Sequence, residues 1–382
     1  MNYRTLGKTG LKVSEIAFGS EALENRDTAA VDQLLNTAID LGINFFDLYN
    51  PNPAARAALG RAIRGRREEM VIQGHLCTAW QDGQYVRTRD LIDCQVSYQD
   101  LLARLDTSYI DIGMIHYVDT KEDFHRVFDG PVIAYTKQLK EEGVIRHIGL
   151  SSHNPEVALM AVRTGLIEVL MFSVNPAYDM LPAAENIETL RDEDSYRVID
   201  GNIHPDRDAL YQDCERRGVA ITVMKAFAGG ALFDAKQSPF EIALMPAHCL
   251  HYALTRPGVA AVMTGAMNAE QLIEAARYCE ASEEEKDFGS LLHGAPVHAF
   301  AGKCMYCGHC APCTAGIDIA AVHKYFDLCQ AQGEIPETIR EHYEVLAHHA
   351  GECIGCGACE QNCPFGVPII EKMAAAKAFF GK

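Results

Sequence analysis

Eight short apolar segments, each followed by an amphipathic stretch, set the strongest limit on what this chain folds into. EIAFG (15–19), INFFDLY (43–49), MVIQGH (70–75), YIDIGMIHY (109–117), RHIGLS (146–151), EVLMFSV (168–174), VAITVMK (219–225) and VAAVMTG (259–265) are apolar and rich in branched residues, as strands covered on both faces must be. Between them, AAVDQLLNTAIDLG, DLIDCQVSYQDLLARL, NPEVALMAVRTG and NAEQLIEAARYCEA carry helical periodicity. Asp90 and Asn154-Pro155 read as helix starts, and Gly42, Gly165 and Gly218 as stops. The alternation predicts an α/β fold, a parallel (β/α)8 TIM barrel. An open doubly wound sheet competes, but no G-x-G-x-x-G follows the first strand. With 382 residues, the chain has room for a barrel over 1–281 and a smaller unit over 282–382.

Cysteine placement says what the smaller unit is. Nine of the fourteen cysteines lie in the last 80 residues, and eight of those nine form two runs, CMYCGHCAPC (304–313) and CIGCGACEQNCP (353–364). Two intervening residues let consecutive thiolates face one centre, and Gly308, Gly355 and Gly357 let the backbone wrap it. The second run has the C-x2-C-x2-C-x3-C-P spacing in which the fourth cysteine serves the other cluster. The expected ligand sets are therefore Cys304, Cys307 and Cys310 with Cys363, and Cys353, Cys356 and Cys359 with Cys313. Two [4Fe–4S] clusters in an α-helical and loop-rich, ferredoxin-like domain follow. Structural zinc is the alternative, but zinc motifs usually come as separated C-x2-C pairs. Cys77, Cys94, Cys214, Cys249, Cys279 and Cys329 read as buried packing residues.

Charge narrows the partners. Against 34 Lys plus Arg stand 52 Asp plus Glu, a net charge of −18, which argues against nucleic-acid or anionic-membrane surfaces. No stretch approaches about 18 uninterrupted apolar residues, and the opening MNYRTLGKTGLKV has no apolar core, so neither a membrane span nor an export signal is expected. Thiol-rich, disulfide-poor composition fits a cytoplasmic protein, and oxygen-sensitive clusters fit an anaerobic host.

In a barrel, chemistry gathers at the carboxyl ends of the strands. There the sequence offers Asp47 and Tyr49, His75, His116 and Tyr117, Ser151, Ser152 and His153, Ser173 and Asn175, and Lys225. A carboxylate and two imidazoles on adjacent strands perturb one another's proton affinities. Asp47, His75 and His116, with Tyr49, form the candidate catalytic set. The same three would also make a two-imidazole, one-carboxylate metal site with open positions.

The segments YRTLGKTGLKVSEIAFGS, FFDLY, LLARLDTSYIDIGMIH, EEGVIRHIGLSSHNPE, VMKAFAGGALF and VAAVMTGAMNAEQL together resemble the aldo/keto reductase family over about residues 1 to 280. With the cysteine tail, the chain is similar to the branch carrying a C-terminal ferredoxin-like domain. The resemblance implies a (β/α)8 barrel that passes hydride between a nicotinamide and a carbonyl or alcohol, using an Asp, a Tyr, a Lys and a His. Asp47 and His116 occupy the Asp and His positions. Asn52 stands where the Tyr belongs, with Tyr49 the nearby substitute, and His75 stands where the Lys belongs.

The nucleotide positions differ too. Gly265, Ala266 and Gln271 stand where the resemblance implies a Lys, a Ser and an Arg around an NADP 2′-phosphate, and loss of the two cations disfavours NADP and leaves NADH, flavin or no dinucleotide open. Ser151, Ser173, Asn175, Lys225, Gly229, Gly265, Asn268 and Gln271 are the candidate cofactor residues; Lys225 with AFAGG (226–230) suits a diphosphate. A long connection over 182–208 reads as a substrate lid whose Arg191, Arg197 and Arg207 clamp an anion, and SEEEKDF (282–288) as the start of a linker helix. A small-molecule substrate and a ferredoxin or similar redox partner are expected. A metal-dependent or non-redox lyase with structural clusters, and an electron-transfer or docking subunit without catalysis, remain the alternatives.

Overall fold

The computed structural model describes residues 1–382 except 25, 187–189, 191–192, 197–201, 294–301 and 331–334. Its centre is a closed barrel of eight parallel strands: β1 (Ile16–Gly19), β2 (Phe45–Leu48), β3 (Val71–Leu76), β4 (Ile110–Ile115), β5 (Ile145–Ser152), β6 (Val169–Ser173), β7 (Ala220–Met224) and β8 (Val259–Thr264). Each pairs with its neighbours in chain order, and β8 closes on β1 through Val262↔Ile16 and Thr264↔Phe18. Every one of the eight expected segments coincides with a barrel strand, the ends differing by at most two residues.

Local chemistry explains the helices between the strands. Asp90 caps the helix Leu91–Leu105 by accepting from the backbone of Ile92 and Asp93, and Asn154 caps Pro155–Arg163 in the same way. Gly42, Gly165 and Gly218 have φ of 81°, 76° and 62°, so each ends its helix in the left-handed region that glycine enters freely. Inside the barrel, Phe45, Val71, Ile112, Met114, Val169, Met171 and Met263 interlock over Leu6 and Val13. Those last two come from an N-terminal hairpin, Tyr3–Thr5 with Lys12–Ser14. Packing is tight: a Cβ on Gly149 would fall 2.0 Å from the Met114 sulfur.

Three expectations change. The linker helix starts at Phe288 and runs to His293, because Ser282 and the acids after it form a turn closed by Ser282 and Glu285. Arg207 belongs to the helix Pro205–Arg216, where it is buried against Asp179 (3.3 Å) and the carbonyl of Ser173 (3.0 Å), so it is no anion clamp. Arg191 and Arg197 lie outside the described residues. Of the scattered cysteines, Cys279 is only half-buried, while Cys77, Cys94, Cys214, Cys249 and Cys329 are buried.

After the barrel, helices Ile319–Gln330, Glu337–Glu344, Ala358–Asn362 and Ile369–Phe380 build the cysteine-bearing segment. It docks along the outer barrel helices through Lys303–Asp208 (3.0 Å) and Lys324–Glu215 (3.9 Å). Among the described residues, no helix is long and apolar enough to cross a membrane.

Candidate active site and cysteine chambers

A cavity of about 1060 Å³ opens at the carboxyl ends of the strands. Asp47 on β2, His75 on β3 and His116 just after β4 meet at its base, each less than a tenth exposed. His75 Nε2 lies 2.9 Å from Asp47 Oδ1, and His75 Nδ1 lies 2.7 Å from His116 Nδ1. Gln73 Nε2 donates to the same Asp47 oxygen at 2.7 Å. The fourth member was not foreseen: Tyr85 Oη sits 2.7 Å from His116 Nε2.

Tyr85 arrives on a hairpin, Thr78–Gln81 with Gln84–Arg87, that leaves β3 and folds back over the mouth. Its turn is Asp82-Gly83, both with positive φ (51° and 76°), the geometry that matches the twist of paired strands. Thr88 N–H donates to Cys77 O (3.0 Å) at the base, and the Arg87 guanidinium covers the Tyr117 ring at 4.2 Å. The signal was present in the sequence as Asp-Gly between alternating residues. Cys77, Tyr117 and Lys225 take φ of 68°, 55° and 58° at the ends of three strands, a cost concentrated around the cavity.

Proton positions follow from the contacts. Burial, and then the adjacent His75 imidazole, hold His116 well below the usual imidazole range, so it is neutral near pH 7. With Asp47 as the acceptor, one tautomer set satisfies every contact: Tyr85 O–H donates to His116 Nε2, His116 Nδ1–H to His75 Nδ1, and His75 Nε2–H to Asp47. All four ring nitrogens are thereby used. Among the described residues, no three His, Cys, Asp or Glu side chains converge to hold a single ion. Tyr49 also lines the cavity, its ring stacked on His116 with centroids 6.1 Å apart. Burial and the charges of Glu21 and Asp47 push its phenol far up, which makes it a poor acid.

The candidate cofactor residues divide. Ser151, Lys225, Gly229, Gly265 and Gln271 line the cavity; Ser173, Asn175 and Asn268 do not. Ser173 is fully buried. Asn175 is occupied by Lys225 O and Tyr178 N–H (both 2.8 Å), and Asn268 caps the helix Ala269–Ala276 by accepting from Gln271 N–H (2.9 Å). The wall also holds Glu21, Glu24 and Glu274, which sequence reasoning passed over. Glu21 reaches solvent through the cavity, and its carboxyl is pushed up by burial.

In the segment after the barrel, Cys304, Cys307, Cys310 and Cys363 line one chamber, and Cys313, Cys353, Cys356 and Cys359 another. Gly308, Gly355 and Gly357 turn beside them with φ of 85°, 66° and 78°. Soft sulfur donors in fours, on glycine-rich turns, fit an iron–sulfur cluster.

The chain is similar to known proteins in sequence and in fold. The model of the aldo/keto reductase family matches residues 15–244, and that of the 4Fe-4S binding domain matches residues 347–369. An oxidoreductase of Bacillus subtilis, YqkF, described as uncharacterized, is 28% identical over 301 residues, 75% of this chain and 94% of that protein. L-galactose dehydrogenase of Arabidopsis thaliana is 30% identical over 196 residues, 47% of this chain and 60% of that protein. The aldo-keto reductase AKR11C1 from Bacillus halodurans, in its holo form, superposes with a TM-score of 0.60 at 23% identity, covering 78% of this chain and 98% of that one.

Proposed function

This chain belongs to the aldo/keto reductase family, and from that premise we propose that its barrel interconverts a small carbonyl compound and its alcohol with electrons carried by two [4Fe–4S] clusters. It is an oxidoreductase with a C-terminal 4Fe–4S binding domain. The proposed division is a catalytic barrel over 1–281 and a cluster-bearing domain over 282–382.

One observation carries the reading: the unbroken chain of hydrogen bonds from Tyr85 through His116 and His75 to Asp47 at the cavity base. In the net change the carbonyl group takes up two electrons and two protons, one proton on carbon and one on oxygen, and becomes a secondary or primary alcohol. Tyr85 gives a proton to the substrate oxygen and is replenished by concerted transfer along the two imidazoles once Asp47 has taken up a proton from solvent, which reverses every hydrogen bond of the chain; with Asp47 ionised the chain draws a proton from Tyr85 instead, the direction of alcohol oxidation. Glu21, which lines the same cavity and exchanges protons with solvent through it, is the proposed donor of the carbon-bound proton. Each cluster, when bound, supplies one electron, and a small one-electron carrier such as a ferredoxin resupplies it. Cys304, Cys307, Cys310 and Cys363 hold one cluster in this reading, and Cys313, Cys353, Cys356 and Cys359 the other.

The cavity wall supports an uncharged substrate over an anionic one. Three carboxylates, Glu24, Asp47 and Glu274, and the Glu21 carboxyl face one lysine, Lys225. Where a 2′-phosphate needs Arg or Lys, the wall offers Gly265, Ala266 and Gln271, so NADP is disfavoured, while NADH or a flavin stays compatible with the wall. Iron and sulfide analysis of anaerobically purified protein, with electron paramagnetic resonance, tests the cluster half: four irons and four sulfides per cluster are expected, twice per chain. Colourless protein free of sulfide would end that reading.

A further inference from the structure

Charge does not balance in the buried region between barrel and cysteine segment. Arg207 and Arg256 are 0% and 1% exposed, and Asp179 is 0% exposed. Asp179 is spent on Arg207 (3.3 Å), Tyr211 Oη (2.5 Å) and Tyr252 Oη (2.8 Å). Arg256 has no carboxylate within ion-pair distance among the described residues. Its Nε donates to Tyr252 O (3.2 Å), and its Nη2 to Thr255 Oγ1 (3.1 Å) and to the carbonyl of Met305. The guanidinium also covers the Tyr252 and Tyr306 rings, at 4.6 and 5.5 Å. Two guanidinium groups against one carboxylate leave one positive charge in excess, in a place where an unpaired charge is strongly disfavoured.

Met305 lies between Cys304 and Cys307, and with Tyr306 it lines the chamber of Cys304, Cys307, Cys310 and Cys363. A [4Fe–4S] cluster on four thiolates is an anion there, and it gains a further negative charge on reduction. We propose that Arg256 is the buried counter-ion of this inner cluster and holds its midpoint potential up by stabilising the reduced state. The inference rests on the cluster occupancy proposed above. Among the described residues, no hydrogen bond or ion pair joins Arg256 to the outer chamber, whose Cys356 is exposed beside Ile354, itself 66% exposed, so the effect belongs to one cluster of the two.

Potentiometric titration of the anaerobic holoprotein, followed by electron paramagnetic resonance, tests this in the wild type, Arg256→Met and Arg256→Lys. In Arg256→Met, the reduced-to-oxidised ratio of one cluster falls at least about tenfold at fixed potential, which is about 59 mV for a one-electron couple. The other cluster stays put, and Arg256→Lys keeps most of the wild-type value. Unmoved potentials in Arg256→Met, or an equal shift in both variants, overturn the inference. Should Arg256→Met lose the inner cluster, Arg256→Gln repeats the neutral test. Loss from both neutral variants with retention in Arg256→Lys supports the counter-ion, and loss from Arg256→Lys as well contradicts it. Wild-type protein without iron and sulfide defeats the occupancy reading and this one with it, whereas two intact clusters with unmoved potentials defeat this one alone.

Discussion

The barrel and the cysteine-bearing segment stabilise themselves by different means. In the barrel, layers such as Phe45, Ile112 and Met171 fill the interior, and Leu35, Leu101 and Val162 on surrounding helices are fully buried; burial of this extent holds a fold without help. Beyond residue 302, Val322, Phe326, Ile369 and Met373 extend the apolar cluster that lies under the barrel helices, and two chambers walled with cysteine interrupt it. So small a unit depends on ligation. The chain thus pairs a self-sufficient scaffold with one completed by what it binds.

The strongest break of that comparison is iron removal. Chelation should expose the segment beyond residue 302 to limited proteolysis while the barrel keeps its cooperative melt; simultaneous loss of both would unite the two regions. Next in size is an attack on the barrel site alone. Asp47→Asn and His75→Ala should lower carbonyl turnover by about 10² to 10⁴-fold and stability by about 1–3 kcal/mol, because each strands buried partners, with cluster content unchanged. Tyr85→Phe should cost about 10²-fold in turnover but less than about 0.5 kcal/mol, since Tyr85 is 37% exposed; steady-state kinetics beside urea unfolding separates the two effects.

The smallest effect is in pH. His116 titrates in the folded protein below its ordinary 6.5, so the unfolded chain takes up the proton first as pH falls. Stability is therefore complete above about pH 6.5 and declines below it, by at most about 1.4 kcal/mol per pH unit for one site. Urea unfolding from pH 7 to 5 should show a shallower decline in His116→Asn.

Legibility followed how local each signal was. Strands, caps and both cysteine runs are written in contiguous residues, and Asp47, His75 and His116 follow from strand ends alone. Tyr85 was missed although Asp82-Gly83 announces its hairpin, because the segment between β3 and the helix Leu91–Leu105 reads as a plain connection until the hairpin folds over the mouth. The fate of Arg207 and Arg256 is set by partners far along the chain, Asp179 28 residues and Met305 49 residues away, and no local pattern marks a charge for burial. Ser173, Asn175 and Asn268 sit at the strand ends or just beyond them, but local backbone geometry claims Asn175 and Asn268 for a turn and a cap.

Stopped-flow reoxidation of chemically reduced holoprotein by a panel of aldehydes and ketones, followed at the cluster absorbance, tests the joined account most directly. At least one carbonyl compound should reoxidise the clusters in the wild type, and the Asp47→Asn and Tyr85→Phe variants should slow that step about 10²-fold. Clusters that stay reduced against the whole panel, while cluster-stripped protein reduces the same carbonyls at full rate with NADPH, would contradict it.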